Sequence, residues 1–490
     1  METKKSREQE KTPFLDAYKA YLESDPVPFD VPGHKLGNFE TDLSRKLSPC
    51  FSKYDANAPI GLDNLYHAKG VIKEAEDLAA KACHADHCLF SVNGTTGAIL
   101  TRFRSTLHAK DKVIRPRNIH KSVVNGLILS GATPIFVNPF IDEELGVACQ
   151  RRRDDLIKAR DENKDAKAVF IINPTYFGIT SDLKKIVEEA HNRNRIVRCD
   201  EAHGSNFYFS SKLPVSARQA GADITARSRH KNSGSLTQTS LLLVKGKRID
   251  RFEVKRAFAR FSSTSPYHPL MASLDAARKE RALHGKEILD RCLELSKYAR
   301  EHLNKIPGIH VYDKDYIKKW NTTGVFDIDL TKLVIDVRGL GRFGYDVYKE
   351  IRKEANIQLE LGEVSVVLAV VGPGTTKEHI DRLLQAFERL SKEHYKEGKK
   401  LSVLRYRYTY PIRRRIPRTA YDDPYKILPL KDAVGEISEE TIRAYPPGIP
   451  IILPGEEISK DTITRINFYR REKGQILKDT KEGCIKVVVR

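Results

Sequence analysis

The stretch AVFIINPTYFGITSDLKKIVEEAHNRNRIVRCD, residues 168–200, places a charged segment between two apolar runs. The runs at 168–174 and 195–200 contain many Val, Ile and Phe residues and have the length of strands. Between them, residues 181–194 begin with Ser181 as a helix cap and carry apolar residues at helical spacing. The stretch therefore predicts a strand, a helix and a second strand, the unit from which parallel sheets are built.

The same alternation extends from about residue 86 to residue 245. The further strands that it predicts lie at 88–92, 112–116, 134–139, 223–225 and 241–244. Alternation at this spacing indicates an α/β fold with a large, mostly parallel sheet covered by helices on both faces. Ligands of such sheets bind at the carboxyl ends of the strands, so the residues directly after each strand form the candidate site.

After roughly residue 300 the pattern changes. Residues 332–390 predict strand, helix, strand and helix, and a charged stretch at 391–400 then leads into a proline-rich part. A chain of this length is expected to divide into more than one domain. The expected division is an N-terminal segment with the large domain at 1–300, a smaller α/β domain at 301–395 and a C-terminal domain at 396–490.

The composition is that of a soluble globular protein, with 40% hydrophobic and 31% charged residues. The charged N-terminus has no signal-peptide core, and the apolar run Val366–Val371 is far too short to cross a membrane, so we expect a cytoplasmic protein without membrane association. Seven scattered cysteines favour reduced thiols. The Cys and His residues of CHADHC, residues 83–88, are read as a helix end running into a strand, and no metal site is expected.

The charge balance is strongly basic, with 85 Lys and Arg against 65 Asp and Glu. A net charge of +20 raises the possibility of a nucleic-acid partner. However, no zinc-finger spacing and no basic motif with interleaved aromatic residues accompanies the charge. We interpret it as a solvated basic surface without a specific nucleic-acid partner.

The strand ends carry residues that suit pyridoxal phosphate. Gly94, Thr95 and Thr96 form a glycine-hydroxyl turn that enters a helix, which is a typical phosphate cradle. Asp200 ends a strand, and Lys231 follows 31 residues later. This cofactor needs a lysine for its Schiff base, a carboxylate at its pyridine nitrogen and an anchor for its phosphate. Each feature alone has an ordinary structural explanation, but the ordered set favours the cofactor.

The spacing from Asp200 also distinguishes Lys231 from two other lysines that follow a histidine. His34-Lys35 lies near the N-terminus, and in His120-Lys121 the lysine is expected to begin a helix. We therefore expect only the lysine of His230-Lys231 to be catalytic.

At this level of detail the chain resembles the Orn/Lys/Arg decarboxylases, enzymes of the aspartate-aminotransferase fold (fold type I of the pyridoxal-phosphate enzymes), in their shorter bacterial form. The motifs that carry the resemblance include VPFDVPGHKLG, VNGTTGAI, PRNIHKSVVNGLILSGATP, NPTYFGITSDLKKIVEEAH, DEAHGSNFYF, HKNSGSLTQTS, STSPYHPLMASLDAAR and YPPGIPIILPGEEI. They are long, they follow the order of the family, and they cover nearly the whole chain. The resemblance implies that residues 396–490 form the C-terminal domain of this type of decarboxylase.

The resemblance implies a role for each matching residue. Thr95 and Thr96 would hold the cofactor phosphate, with Gly94, Ser228 and His230 close by. Lys231 would form the Schiff base, Asp200 would pair with the pyridine nitrogen, His120 would stack on the ring, and His203 and Thr175 would lie near it. The segment around Thr264 would reach the phosphate of a neighbouring subunit, because sites of this family are shared in a homodimer or higher homo-oligomer. Glu360 would contact the basic end of the substrate.

The implied reaction is decarboxylation of a basic amino acid in polyamine biosynthesis, with arginine to agmatine as the first choice. Lysine or ornithine is the alternative substrate. Two further hypotheses are another pyridoxal-phosphate reaction, such as aminotransfer, and a non-catalytic regulatory or binding role.

Several residues depart from the pattern of the family. Arg227 and Arg229 precede His230 where relatives carry small or hydroxylic residues, and Glu436 stands where relatives tend to carry Arg. Arg198 lies in a strand expected to be buried on both faces, where an unpaired charge would be costly. These departures leave open a diverged member with altered activity.

Overall fold

The computed structural model describes residues 2–489 apart from 40, 48–49, 58, 143, 146, 151–152, 321–322, 402–408, 446–448 and 472–473. The α-helices of the described chain are α1 Glu2–Gln9, α2 Pro13–Glu23, α3 Asp42–Leu47, α4 Cys50–Lys53, α5 Val71–Ala82, α6 Gly94–Thr106, α7 Lys121–Ser130, α8 Arg153–Glu162, α9 Leu183–His191, α10 Arg251–Phe261, α11 His268–Leu303, α12 Asp315–Trp320, α13 Gly344–Glu354, α14 Lys377–His394, α15 Pro417–Asp422 and α16 Lys460–Arg471. None of the helices within these limits combines the length and the apolar composition needed to cross a membrane.

The strands are mostly short. In chain order they are β1 His87–Ser91, β2 Lys112–Pro116, β3 Thr133–Val137, β4 Ile141–Asp142, β5 Val147–Ala148, β6 Ala168–Ile172, β7 Ile179–Thr180, β8 Ile196–Asp200, β9 Ile224–Ser228, β10 Ser240–Val244, β11 His310–Val311, β12 Asp327–Ile328, β13 Lys332–Asp336, β14 Leu361–Gly362, β15 Val366–Val370, β16 Tyr425–Pro429, β17 Ile442–Tyr445, β18 Ile449–Ile452, β19 Gln475–Leu477 and β20 Cys484–Val488. Seven of them, β1, β2, β3, β6, β8, β9 and β10, confirm the seven strands predicted between residues 86 and 245.

The chain divides into two compact units, each built from two chain segments. The first unit comprises residues 1–106 and 198–289, and the second comprises residues 107–197 and 290–490. The expected division at residues 300 and 395 stays a prediction.

In the first unit, β1, β10, β9 and the end of β8 are hydrogen bonded in that order. β8 and β9 run parallel, with Asp200 opposite Ala226, whereas β10 is antiparallel to both β9 and β1. Every residue of β9 and β10 is buried, as expected for central strands with neighbours on both sides. Asp200 therefore ends a buried parallel strand, as the sequence predicts.

In the second unit, β6, β2 and β3 are parallel. The strands β11, β13, β15 and β14 form a four-stranded antiparallel sheet. Along the chain, α13 lies between β13 and β14, and α14 follows β15. This order confirms the strands and helices predicted for the smaller α/β segment. A separate two-stranded pair joins β7 to β12 and places Thr180 opposite Asp327. In the C-terminal part, β16 pairs with β20, and β17 lies between β18 and β19 in a three-stranded sheet. Pro446, Pro447 and Gly448 of the proline-rich motif lie outside the described residues.

The helix after β7 corrects one detail of the prediction. Helix α9 begins at Leu183, and its cap is Asp182, whose side chain accepts a hydrogen bond from the backbone N–H of Lys185. Ser181 is buried, and its backbone N–H donates to the side chain of Asn173. The predicted Ser181 cap was wrong because this buried serine lies directly after β7, which leaves the neighbouring aspartate as the first side chain able to reach the helix N-terminus.

Candidate active site

Lys231 and His203 are brought together in the first unit. Nζ of Lys231 lies 2.7 Å from Nε2 of His203, and the Lys231 side chain is exposed. The Asn232 side chain donates to the backbone carbonyl of His203, and the Arg281 guanidinium donates to the carbonyl of Asn232. The lysine is therefore an accessible amine on a turn that neighbouring residues hold in place.

Asp200 lies at the start of the chain segment that leads to His203. It is buried, and its carboxylate accepts a hydrogen bond from the backbone N–H of Ala202. Behind it, the fully buried Arg102 donates to the backbone carbonyl of Cys199. Burial lowers the pKa of Arg102 to about 10, and the nearby charge of Asp200 opposes that change. The sequence shows a basic helix here but does not reveal that Arg102 lies behind the strand end.

The glycine-hydroxyl turn begins α6 as predicted. Gly94 has φ +66, a conformation that favours glycine, and a side chain at this position would meet open space. The Thr95 hydroxyl is buried and hydrogen bonded to the Ser228 hydroxyl, and it donates to the Ser240 hydroxyl at 3.1 Å. Thr96 is exposed at the first turn of the helix. Thr95 and Ser228 thus lie together, and Thr96 has the accessible hydroxyl.

His230 belongs to the turn that precedes β10. Its Nδ1 lies 2.9 Å from the backbone carbonyl of Thr239, and the backbone N–H of Arg229 donates to the same carbonyl. Thr264 is exposed in the loop between α10 and α11, so its expected contact with a neighbouring subunit stays a prediction.

The two unusual arginines, Arg227 in β9 and Arg229 just after it, have different surroundings. Arg227 is fully buried, donates to Sγ of Cys83 at 2.9 Å and to the carbonyl of Ser205, and lies 3.9 Å from the ring centre of Tyr208. Burial alone would lower the pKa of Arg227, but Cys83, Tyr208 and the buried carboxyl of Glu201 together raise it above its ordinary value. Arg227 is therefore part of a polar network inside the first unit.

Arg229 is also buried and donates to the backbone carbonyl of Ala277 at 3.0 Å. Burial, with the charge of Arg227 added to it, lowers the pKa of Arg229 to about 9. Arg198, for which the sequence suggested an unpaired charge, lies 4.0 Å from the ring centre of Phe103. A cation over an aromatic face is attracted by the partial negative charge of that face, so the aromatic neighbour reduces the cost of this buried arginine.

In the second unit, His120 caps the helix that Lys121 begins. Its Nδ1 accepts a hydrogen bond from the backbone N–H of Ser122 and lies 2.8 Å from the Ser122 hydroxyl. The ring is exposed, and these bonds orient it. The sequence places His120 after β2 but does not reveal its role as a cap.

Thr175 is buried in the turn between β6 and β7, and its hydroxyl accepts from the backbone N–H of Ile179. The next residue, Tyr176, donates its hydroxyl to the exposed carboxylate of Glu360 at 2.5 Å. Two predicted site residues are thus neighbours, since Glu360 lies beside the turn that contains Thr175. The sequence prediction did not include Tyr176, although this residue follows Thr175 in the turn after β6.

Glu436, the last of the unusual residues, is half-buried and accepts from Nζ of Lys426 at 3.3 Å.

A family model described as Orn/Lys/Arg decarboxylase, major domain, matches residues 12–378, and one described as Orn/Lys/Arg decarboxylase, C-terminal domain, matches residues 415–475. The chain is 39% identical over 473 residues to the arginine decarboxylase of Halalkalibacterium halodurans, with 94% of each chain covered. It is 38% identical over 484 residues to the arginine decarboxylase of Bacillus subtilis, with 98% of each covered.

Among solved structures, the chain is similar to the lysine decarboxylase LdcF of Francisella novicida. The TM-score is 0.84 at 20% identity, and the match covers 97% of this chain and 81% of that one. A likeness at this identity concerns the fold, and it confirms the predicted α/β fold class.

Proposed function

Because this chain belongs to the Orn/Lys/Arg decarboxylase family, as its motifs predict, we propose that it binds pyridoxal 5'-phosphate and converts arginine to agmatine and CO2. The observation that carries the proposal is the exposed Lys231 amine 2.7 Å from His203, a residue that follows the strand end at Asp200. The preference for arginine rests on the relatives of 38–39% identity that are named arginine decarboxylases. Lysine and ornithine are the alternative substrates.

The residues of the first unit fit the cofactor. Lys231 has an accessible amine for the cofactor aldehyde, and Asp200 offers a carboxylate for the ring nitrogen. The phosphate would be held by the exposed Thr96 hydroxyl and by backbone N–H groups at the start of α6, where Gly94 leaves open space. Thr95 and Ser228 support this turn through the hydrogen bond between their hydroxyls. His230 is proposed to lie close to the phosphate, and His120 and Thr175 are proposed to line the ring.

The chemistry supplied by the bound cofactor is an electron sink for the pair released when the α-carboxylate leaves. The chain has to hold the ring nitrogen protonated, to orient the substrate and to return a proton to its Cα. Asp200 would keep the ring nitrogen protonated. The side chains of Lys231 and His203 share a hydrogen bond and are the groups we assign to proton return.

Glu360 is assigned to the basic end of the substrate. Its carboxylate is exposed and held at one oxygen by Tyr176. A guanidinium is planar and offers paired N–H donors that match a carboxylate, which favours arginine for such a contact.

We further propose that the enzyme works in the cytoplasm as a homodimer or a higher homo-oligomer, in polyamine biosynthesis. The exposed Thr264 loop is the segment assigned to the phosphate region of the neighbouring subunit. We propose no specific nucleic-acid partner and no membrane association for this enzyme.

The activity is tested by incubating the purified protein and pyridoxal phosphate with arginine, lysine and ornithine in turn. Release of CO2 with equal amounts of agmatine from arginine, at the highest kcat/KM of the three, is the expected result. Formation of a keto acid without CO2 would instead support aminotransfer, and no product from any of the three would support a non-catalytic role.

Sharing of the site is tested by mixing two inactive variants. Thr264→Glu places a negative charge where the neighbour's phosphate is proposed to bind, and Lys231→Ala removes the amine. If the sites are shared, each mixed dimer has one site with both wild-type residues, so mixing restores roughly a quarter of the wild-type activity for random pairing in a dimer. Activity that stays at the level of the separate variants would contradict a shared site.

A further inference from the structure

The Tyr176 hydroxyl donates a hydrogen bond of 2.5 Å to Oε1 of Glu360, across 184 residues of chain. We propose that Tyr176 is a positioning residue that orients Glu360 for the guanidinium group of the substrate and so helps the enzyme prefer arginine over lysine. This inference rests on the proposed function, in which Glu360 binds the basic end of the substrate.

Tyr176 lies on a turn that is closed by its own hydrogen bonds. The backbone N–H of Gly178 donates to the carbonyl of Thr175 at 3.0 Å, and the N–H of Thr175 donates to the carbonyl of Ile179 at 2.9 Å. The Thr175 hydroxyl accepts from the N–H of Ile179 at 3.2 Å. With both ends of the turn closed, the backbone of Tyr176 has little freedom to move.

Buried charged residues attach this turn to the neighbouring strand. Nζ of Lys332 donates to the backbone carbonyl of Tyr176 at 2.8 Å, and the Lys332 side chain is almost fully buried. The backbone N–H of Asp329 donates to the carbonyl of Gly178 at 2.9 Å. Burial raises the pKa of the Asp329 carboxyl, and the nearby charge of Lys332 opposes that rise.

The turn also requires glycine at position 178. Gly178 has φ +87, and a Cβ there would lie 2.9 Å from Cδ of Lys332 and 3.1 Å from Cβ of Asp329. The turn is therefore packed directly against the residues that hold it. Such close packing keeps the Tyr176 hydroxyl at a defined position.

Glu360 itself needs this support because its side chain is exposed. Its backbone is fixed by a hydrogen bond from its N–H to the carbonyl of Leu368 at 2.9 Å, at the start of β14. A long exposed side chain loses considerable rotamer freedom when it is ordered. The hydroxyl of Tyr176 orders the carboxylate before the substrate arrives and still leaves Oε2 and a second lone pair of Oε1 for the ligand.

An ordered carboxylate matters more for a guanidinium than for an ammonium group. A guanidinium binds a carboxylate through two parallel N–H bonds and needs the carboxylate plane in one orientation. The ammonium group of lysine is a point charge with rotatable donors and tolerates several orientations. Loss of the Tyr176 hydroxyl should therefore weaken arginine binding more than lysine binding.

The test compares the holoenzyme of wild type, Tyr176→Phe and a matched control. The control is Tyr345→Phe, which removes another tyrosine–glutamate hydrogen bond of the same unit, from Tyr345 to Oε2 of Glu363 at 3.1 Å. For Tyr176→Phe we expect KM for arginine to rise ~10-fold, the size of one hydrogen bond to a charged group. We expect kcat to change less than about threefold, and the preference for arginine over lysine to fall about fivefold. Tyr345→Phe should leave KM and the preference unchanged.

A second pair of variants tests the coupling to Glu360. In the Glu360→Gln background the carboxylate is gone, so adding Tyr176→Phe should raise KM less than about twofold. An unchanged KM in Tyr176→Phe, or an equal rise in both backgrounds, would overturn the inference. Thermal unfolding of each variant shows whether a lower activity reflects loss of folded protein.

The outcomes separate this inference from the proposed function. If the wild type releases no CO2 from any of the three amino acids, the proposed function fails and the inference falls with it. If the wild type decarboxylates arginine and Tyr176→Phe has wild-type kinetics, only the inference on Tyr176 fails.

Discussion

The amine of Lys231 and Nε2 of His203 lie 2.7 Å apart, although 28 residues separate them in the chain. The hydrogen bond from Asn232 to the backbone of His203 ties the same two segments together. Because the Lys231 side chain is exposed, this contact is reached from solvent. It joins the residue assigned to cofactor attachment to the residue assigned to proton transfer.

Removal of the Lys231 amine should abolish cofactor attachment. For Lys231→Ala we expect loss of the absorbance near ~420 nm that accompanies a lysine-bound cofactor, and a fall in kcat of at least about 10³-fold. Lys121→Ala is the matched control, since Lys121 is also exposed and also follows a histidine. Spectra of the two purified variants check the prediction, and an unaltered spectrum in Lys231→Ala would contradict it.

Loss of the His203 ring should slow the chemical step more than substrate binding. The ring is within hydrogen-bond distance of the Lys231 amine, so His203→Ala removes a proton-transfer partner and should lower kcat about 10² fold. His284→Ala, in the same unit on α11 and exposed, should keep wild-type kcat. Steady-state kinetics with arginine decide the outcome; a rise in KM at constant kcat would assign His203 to binding instead.

The two unusual arginines, in β9 and just after it, should differ in their effect on stability. Arg227 has the Tyr208 ring, Cys83 and the charge of Glu201 around it, so Arg227→Met breaks a buried network and should lower the free energy of unfolding by about 3 kcal/mol. For Arg229, burial and the charge of Arg227 together lower its pKa to about 9. Its replacement removes this desolvated charge.

Arg229→Met should therefore change the free energy of unfolding by less than about 1 kcal/mol, or raise it. Denaturant unfolding of both variants provides the measurement. Equal destabilisation by the two substitutions would mean that Arg229 contributes as much to the fold as Arg227.

Glu363 should make stability depend on pH. Burial raises the pKa of Glu363 from 4.5 to about 8, opposed by the hydrogen bonds from Tyr345 and from the backbone of Val364. The folded protein thus binds a proton that the unfolded chain releases at lower pH. The stabilisation is fully present below pH 4.5 and is lost as the pH rises toward and through about 8.

Glu363→Gln carries no titrating group at this position. The free energy of unfolding of the wild type relative to Glu363→Gln should therefore decrease between pH 4.5 and about 8 and level off above that range. Denaturant unfolding at a series of pH values gives the comparison. A relative stability that rises with pH would show that the folded protein favours the ionised carboxylate.

Much of the fold could be read from local patterns. The seven strands of the central region were predicted because continuous apolar runs mark strands that are buried on both faces. The choice of Asp182 over Ser181 as the cap of α9 was not predictable, because it depends on where the preceding strand pair ends. The parallel pairing of β8 with β9 also supports the expectation that Asp200 ends a buried strand.

The arginines show the limit of reading burial from composition. The sequence indicates that burying the charge of Arg198 is costly. It does not reveal that the ring of Phe103 lies 4.0 Å away and stabilises that charge. Likewise, Arg227 and Arg229 look equivalent in the sequence, and their different neighbours come from distant segments at Cys83, Tyr208 and Ala277.

The sequence by itself determined the family, the order of strands and helices, and the residue types at the strand ends, because these depend on local periodicity and on long motifs. Only the tertiary structure decided which side chains meet. It joined Lys231 to His203, turned the Thr95 hydroxyl toward Ser228, and brought Tyr176 to Glu360. The physical reason is that such contacts depend on turns and side-chain directions fixed by packing between segments that are far apart in the chain.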